Sequence, residues 1–365
     1  MANKIAYVVS RFPALYETFI LREILSVQER GYDVTIYSLK NPKWKITHDE
    51  ASFLMNKTRY SPYLFSYKLL ISQIYYIFKK PTIYFSLIYY IIIHVFPDIR
   101  TLIKSLIIFP KSVHYAKLIK QSETTHIHAH WATMPTLSAL IISRLNAISF
   151  SVTAHAVDIF QDTKMLEEKL SKASFIITCT EYNKKYLTEN YEKINPQKIY
   201  VNYHGINLQK FRRLNSTNHV QLNILSVGRL EESKGYQYLL EACYQIRSKK
   251  IPFCCAIIGG GPLKNYLNNL IKKLSLGEHV TLVGILKQEE VIKYYETANL
   301  FVLPAISESH WGIPNVIIEA MSMEIPTVTT QLPAISEVIQ HDITGIIVPE
   351  KDSKAIADAI IRVSS

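Results

Sequence analysis

Residues Ile224–Ala242 read ILSVGRLEESKGYQYLLEA, three unlike pieces in a row. The apolar run Ile224-Leu225-Ser226-Val227 is short, stops at Gly228-Arg229 and suits a buried parallel strand. Helical spacing takes over further on, with Tyr238, Leu239 and Ala242 along one stripe. Between the two lies a polar loop that carries Arg229 and Lys234 and closes on Gly235. A strand, a loop with two cations and a helix start together suit a multiply charged anion. The first N–H groups of a helix lack internal partners and sit at the positive end of its dipole. Arg offers phosphate oxygens a planar fork, and Lys offers a compact point charge. The same residues also allow a plain solvated turn, with Arg229 and Lys234 paired to Glu231 and Glu232.

The strand-then-helix rhythm continues in both directions. Downstream, strands are expected at 253–258, 279–283, 299–303, 326–330 and 344–348. Helices are expected at 235–247, 262–274, 288–297, 314–323, 333–340 and Lys354–Val363. Upstream, a strand at 5–9 leads through Ser10-Arg11-Phe12-Pro13 to an amphipathic helix over Glu17–Glu29 and a strand over Asp33–Leu39. Further strands are expected at Thr125–His128, Ser149–Val152, Phe175–Cys179 and Ile199–Asn202, with helices at His130–Leu145 and Glu181–Asn190. This pattern predicts parallel sheets with binding loops at the carboxyl ends of the strands. The polar stretch Asn207–Val220 marks a boundary between domains 1–206 and 207–365.

Composition agrees with a folded two-domain protein: 365 residues exceed one ordinary core, and 48% hydrophobic content excludes a disordered or fibrous chain. The opening Met1–Val9 reads as a first strand rather than a signal peptide. Cys179, Cys243, Cys254 and Cys255 lack paired metal spacing and read as reduced core residues of a cytoplasmic protein. The net charge of +11 is concentrated in an insertion at about 40–120, where thirteen Lys and Arg stand against Asp49, Glu50 and Asp98. There Tyr, Ile, Leu and Phe are interleaved and flanked by Lys79, Lys80, Arg100, Lys104 and Lys111. Pro81–Pro97 has no charged residue but falls short of the ~20 apolar residues of a membrane span. Two readings stay open: interfacial helices docking residues 60–111 on anionic lipid, or an insertion packed on its own domain with a solvated basic face. Nucleic acid is not expected, because the cations border aliphatic runs rather than a polar stripe.

Two further segments carry polar groups at strand ends. Gly259-Gly260-Gly261-Pro262 opens a helix after a strand, and serves equally as a tight turn or as a phosphate approach. In Pro304–Met321, PAISESHWGIPNVIIEAM, Pro314 can start a helix and place Glu319 near its positive end. A carboxylate there can accept both hydrogen bonds of a vicinal diol, or simply complement the helix dipole. His128 and His130 alternate on a strand end with no third ligand nearby in sequence.

The order Gly228-Arg229, Lys234-Gly235, Gly259-Gly260-Gly261-Pro262, Ala298-Asn299-Leu300, Gly312-Ile313-Pro314-Asn315 and Glu319-Ala320-Met321 resembles glycosyltransferase family 4. In the first half, Glu17-Thr18-Phe19-Ile20, His128-Ala129-His130-Trp131-Ala132 and Thr153-Ala154-His155-Ala156-Val157-Asp158 are similar to its exopolysaccharide and lipopolysaccharide branch. The resemblance implies an α/β GT-B fold, two Rossmann-like domains facing each other across a cleft. It implies a retaining enzyme that takes its sugar from a nucleotide-diphosphate sugar, as a co-substrate and with no cofactor or metal. By the same resemblance, Arg229 and Lys234 hold the diphosphate, Glu319 holds the ribose and His155 lies against the donor sugar. His155, Arg229 and Lys234 form the catalytic group; Gly228, Gly260, Glu308 and Asn315 complete the donor site, and Glu17 and Arg11 face the acceptor. The implied acceptor is a lipid-linked glycan, with the enzyme peripheral on the inner face of the plasma membrane.

Two departures from the family pattern stand out. Where the family usually carries a second Glu, eight positions before Glu319, this chain has Trp311; Glu308 is the nearest replacement. The chain also ends at Ser365, where relatives continue into a helix that crosses back to the first domain. The Trp311 departure motivates an alternative, a non-catalytic GT-B partner subunit.

Overall fold

The computed structural model describes residues 3–14, 17–42, 49–213, 221–309 and 312–364. It divides into two compact units, Met1–Gly205 and Ile206–Ser365. The first is built on β1 (Lys4–Arg11), β2 (Asp33–Lys40), β3 (Thr58–Tyr60), β4 (His126–His130), β5 (Phe150–Ala154), β6 (Ile176–Thr178) and β7 (Ile199–Val201), in the order β3-β2-β1-β4-β5-β6-β7. The second is built on β8 (Leu222–Val227), β9 (Phe253–Ile258), β10 (Val280–Gly284), β11 (Leu300–Leu303), β12 (Thr327–Thr330) and β13 (Ile346–Val348), in the order β10-β9-β8-β11-β12-β13.

Every described strand pairing between these elements is parallel. Strands covered on both faces are buried on both, as β5 and β11 are along their whole length; Ser151 and Thr153 are accommodated in β5 by their contacts with the ring nitrogens of His128. In each unit the strand order reverses beside the first strand, at β1/β4 and at β8/β11. Chains leaving opposite ways at such a reversal open a crevice at the carboxyl ends, where ligands settle in open α/β sheets.

Three local expectations need correction. The helix expected from His130 begins at Met134, because Pro135 is tolerated only in a first helical turn; His130 instead pairs with Thr153 as the last residue of β4. The helix expected over 333–340 is only the 3-10 turn Ile335–Glu337, since so short a segment gains few helical bonds for its nucleation cost. Its buried Ile335 and Ile339 pin it by packing instead. The insertion was expected to be helical, yet its first part adds the edge strand β3, preceded by the helix Asp49–Met55, in the stretch 40–60 to which no particular element was assigned.

The remaining insertion folds into three helices, Tyr67–Lys79, Pro81–Val95 and Ile99–Gln121. Ser66 caps the first by accepting from the Lys68 N–H, Pro81 occupies the first turn of the second, and Asp98 caps the third through the Thr101 N–H. Their inner faces join the core of the first unit: Tyr76, Leu87, Ile91, Val113 and Ile119 cluster with Ile127 and Leu140. The Tyr115 hydroxyl reaches the Ser38 carbonyl at 2.5 Å, and the Tyr76 hydroxyl reaches Asn146 Oδ1 at 2.6 Å. The insertion is therefore packed on its own unit by one face. The outer face is not simply solvated and basic, because Leu70, Phe78, Phe85, Tyr89 and Ile103 of these helices are exposed, as are Tyr63 and Phe65 in the loop before them. No helix among the described residues is long and apolar enough to cross a membrane.

Candidate active site

The anion loop of the second unit follows β8. The Gly228 N–H donates to the Ile258 carbonyl at 2.9 Å, and the Leu230 N–H donates to the Gly260 carbonyl at 3.0 Å, so this loop lies directly on the glycines after β9. Gly259 has φ +147°, and a Cβ there would come within 1.9 Å of the Gly228 oxygen. The glycine run thus permits two strand-end loops to touch, which is the tight-turn reading in its strongest form. Gly235, at φ +64°, does the same on the other side, where a Cβ would meet the Pro304 oxygen at 2.0 Å. The Ile306 N–H donates to the Ser233 carbonyl at 3.0 Å, binding the loop after β8 to the loop after β11.

Lys234 ends the 3-10 turn Glu232–Lys234 within this junction. Burial draws its pKa down to about 8, with Glu231 pulling the other way. Arg229 is half exposed, and its Nε lies 3.1 Å from Glu231 Oε2. The solvated-turn reading is thus realised for Arg229, which forms an exposed pair of the kind usually worth about 0–1 kcal/mol. Glu319, on the helix Asn315–Ser322 after β11, is 8% exposed and accepts from the Tyr295 hydroxyl at 3.3 Å. Asn315 is the first residue of that helix. Glu308 turns to the surface, where its Oε1 lies 2.7 Å from Lys351 Nζ, and its side chain is 74% exposed. The structure does not bury it beside Glu319. Trp311 lies outside the described residues.

In the first unit, β4, β5, β6 and β7 present His130, His155, Cys179 and His204 at or just beyond their carboxyl ends. These side chains touch in series. His130 Nδ1 is 3.3 Å from His155 Nε2, His155 Nδ1 is 3.3 Å from Cys179 Sγ, and Cys179 Sγ is 2.9 Å from His204 Nε2. Both ring nitrogens of His155 are therefore engaged inside this unit. Burial lowers its pKa, and His130 and His204 lower it further, so the ring is neutral.

Sequence reading did not single out Glu23, and it quoted Asp158 within a motif without giving it a role. Glu23 sits among the buried Ile20, Leu21 and Ile24 of the helix Thr18–Glu29, and its Oε1 is 3.4 Å from His128 Nε2 and 3.1 Å from His130 Nε2. It is the third ligand-type group beside His128 and His130 that the sequence did not reveal. Burial pushes its pKa up, but His130, His128 and the Tyr7 hydroxyl together hold it below the ordinary carboxylate range. Asp158 is fully buried and accepts backbone N–H bonds from Ala132 and from His155. A capping box, with Asp three residues after His155, was its available signal. Burial raises its pKa to about 7 against those bonds. Beside β1, Arg11 Nη2 lies 3.6 Å from Glu17 Oε1, and both line a small pocket with Phe12, Pro13, Ile20 and Leu21. Burial raises the Glu17 pKa, with Arg11 opposing.

Residues 17–210 match the family described as Glycosyltransferase Family 4, and residues 209–365 match Glycosyl transferases group 1. The chain belongs to glycosyltransferase family 4. Among curated proteins, the amylovoran biosynthesis glycosyltransferase AmsK of Erwinia amylovora is 37% identical to this chain over 172 residues, a match covering 46% of this chain and 42% of AmsK. The chain thus matches less than half the length of that relative. The capsular polysaccharide biosynthesis glycosyltransferase CapM of Staphylococcus aureus is 29% identical over 73% of this chain and 72% of its own length. Among solved structures, Anabaena HepE in complex with UDP-glucose superposes with a TM-score of 0.71 over 99% of this chain and 90% of HepE, at 13% identity. That likeness, together with two doubly wound sheets, gives this family 4 chain the α/β GT-B fold.

Proposed function

We propose that this chain transfers a sugar, with retention of configuration, from a nucleotide-diphosphate sugar to a lipid-linked glycan during synthesis of a bacterial surface polysaccharide. The observation that carries the reading is that the loops after β8 and β11 are tied together at the strand-order reversal, with Lys234 in the first loop and the buried Glu319 on the helix that follows the second. AmsK and CapM, named for amylovoran and capsular polysaccharide synthesis, support the pathway, and HepE in complex with UDP-glucose supports the donor class.

Breaking the sugar–phosphate bond adds negative charge to the departing diphosphate. Lys234 is already held where that charge grows, and Arg229 exchanges Glu231 for a phosphate oxygen. Preorganised cations stabilise the transition state more than the ground state, each to the extent of about 3–4 kcal/mol. The diphosphate leaves without a metal ion, and it takes the proton of the acceptor hydroxyl attacking from the same face. Glu319 receives the ribose diol. Arg11 and Glu17 line the acceptor side, and His155 borders the donor sugar.

The acceptor's lipid brings the enzyme to the cytoplasmic face of the plasma membrane. The outer face of the three insertion helices suits such a surface: exposed aromatic and aliphatic side chains are bordered by Lys68, Lys79, Lys80, Arg100 and Lys104. The test is to offer the purified chain a panel of UDP-, GDP- and ADP-sugars with membrane lipid extract as acceptor. Transfer from one donor supports the reading. Binding of a nucleotide sugar without transfer or hydrolysis would instead favour a non-catalytic subunit.

A further inference from the structure

We propose that His155, Cys179 and His204 form a metal site for one zinc-class divalent ion. The residues follow β5, β6 and β7, three adjacent parallel strands, so the sheet itself sets their spacing. One donor atom from each lies within 4.8 Å of the others. Cys179 Sγ is 2.9 Å from His204 Nε2 and 3.3 Å from His155 Nδ1. A tetrahedral zinc, with bonds of about 2.3 Å to sulfur and about 2.0 Å to nitrogen, holds such atoms roughly 3.6 Å apart. The two sulfur–nitrogen pairs, at 2.9 and 3.3 Å, need to spread by less than about 1 Å to reach that separation, and the two imidazole donors already lie within 4.8 Å of each other.

One thiolate and two imidazoles are a borderline-soft set, suited to zinc and unsuited to magnesium or calcium. The surrounding groups fit a ligand role for His155. Its Nε2 faces His130 Nδ1 at 3.3 Å, and His130 Nε2 lies 3.1 Å from Glu23 Oε1, although off the axis of a good hydrogen bond. A metal-bound imidazole characteristically donates its second N–H to an acceptor that fixes the ring, and His130 is placed to accept it. The ring of His204 is stacked on Phe19, with centroids 4.5 Å apart and planes 3° from parallel, which holds its orientation. Cys179 and His204 are partly exposed and leave an entry path.

On binding, the Cys179 S–H bond breaks, its proton passes to solvent and a metal–sulfur bond forms, with both imidazoles neutral. Three protein ligands leave a fourth position for water or for an oxygen of a bound ligand. The ion would tie the ends of three strands together in the first unit. It takes no part in the departure of the diphosphate, which uses Arg229 and Lys234 of the second unit.

The experiment titrates the chelator-stripped full chain with Co2+ and then with Zn2+. One equivalent of Co2+ is expected to produce tetrahedral visible bands and a thiolate-to-cobalt charge-transfer band, and Zn2+ is expected to bleach both. Cys179→Ser should abolish the charge-transfer band, and His204→Gln should weaken binding by at least about tenfold. Cys254→Ser, at an exposed cysteine elsewhere, should change nothing. If Cys179→Ser does not fold, alkylation of Cys179 in the unaltered chain, followed by mass spectrometry, should slow when Zn2+ is added. A weak octahedral spectrum, a charge-transfer band that survives in Cys179→Ser, or alkylation indifferent to Zn2+ overturns the proposal. These readouts do not involve sugar transfer, so failure here leaves the transferase reading standing, and loss of transfer leaves the metal site standing.

Discussion

Replacing Lys234 by Ala separates catalysis from folding. Burial holds the Lys234 pKa at about 8, below its ordinary 10.5, so folding disfavours the ammonium. That cost is fully present below pH ~8 and is relieved as the pH climbs from about 8 toward 10.5, where the unfolded chain still binds the proton and the folded chain does not. Removing the side chain at pH 7 gives up the attraction of Glu231 but also relieves the larger burial cost, and Lys234→Ala is expected to keep its stability within about 1 kcal/mol of the parent. Transfer has no such insulation. Loss of one preorganised donor to the leaving diphosphate corresponds to about 3–4 kcal/mol, or roughly 10²–10³ in kcat. The unaltered enzyme should also lose activity as pH rises through about 8, whereas Lys234→Arg should hold its residual activity to higher pH because guanidinium does not titrate there. Steady-state release of nucleoside diphosphate, read beside thermal melts, measures both halves. Turnover by folded Lys234→Ala within about threefold of the parent would refute the reasoning.

Three other predictions follow from the geometry. Glu319→Gln should weaken nucleotide binding by roughly 10–100-fold, since hydrogen bonds to a charged group contribute about 1.5–3 kcal/mol, while its buried contact with Tyr295 persists; calorimetry with nucleoside diphosphates checks this. Asp158→Ala strands the buried N–H groups of Ala132 and His155 and should cost about 2–5 kcal/mol in denaturant unfolding, with Asp158→Asn milder. Vesicles containing anionic lipid should capture the chain at low salt, and the triple change Lys79→Glu, Lys80→Glu, Lys104→Glu should release it; capture unchanged by that reversal would rule out an electrostatic contribution from this face.

The loop proposed to hold the donor was legible as a strand–loop–helix unit because its pattern is local. Gly228, Arg229, Lys234 and Gly235 lie within eight consecutive residues, and a strand followed by a helix delivers them to one edge whatever the remainder of the chain does. Local reading could not choose a partner for Arg229, because an exposed pair with Glu231 differs from solvation by only about 1 kcal/mol. Nor could it choose the inward face of Pro81–Val95, which is apolar nearly all round; packing of Tyr84, Leu87, Ile91 and Val95 decided that.

What the sequence determined by itself was the alternation of buried strands and amphipathic helices, the family, and the residues at the strand ends of the second unit. These depend on interactions between near neighbours. Only the tertiary structure brought Glu23, His130, His155, Cys179 and His204 into one chain of contacts. Parallel strands are joined by long crossovers, so residues 24 or 25 positions apart, such as His155, Cys179 and His204, become neighbours only once the strands are in register. No local spacing encodes that adjacency.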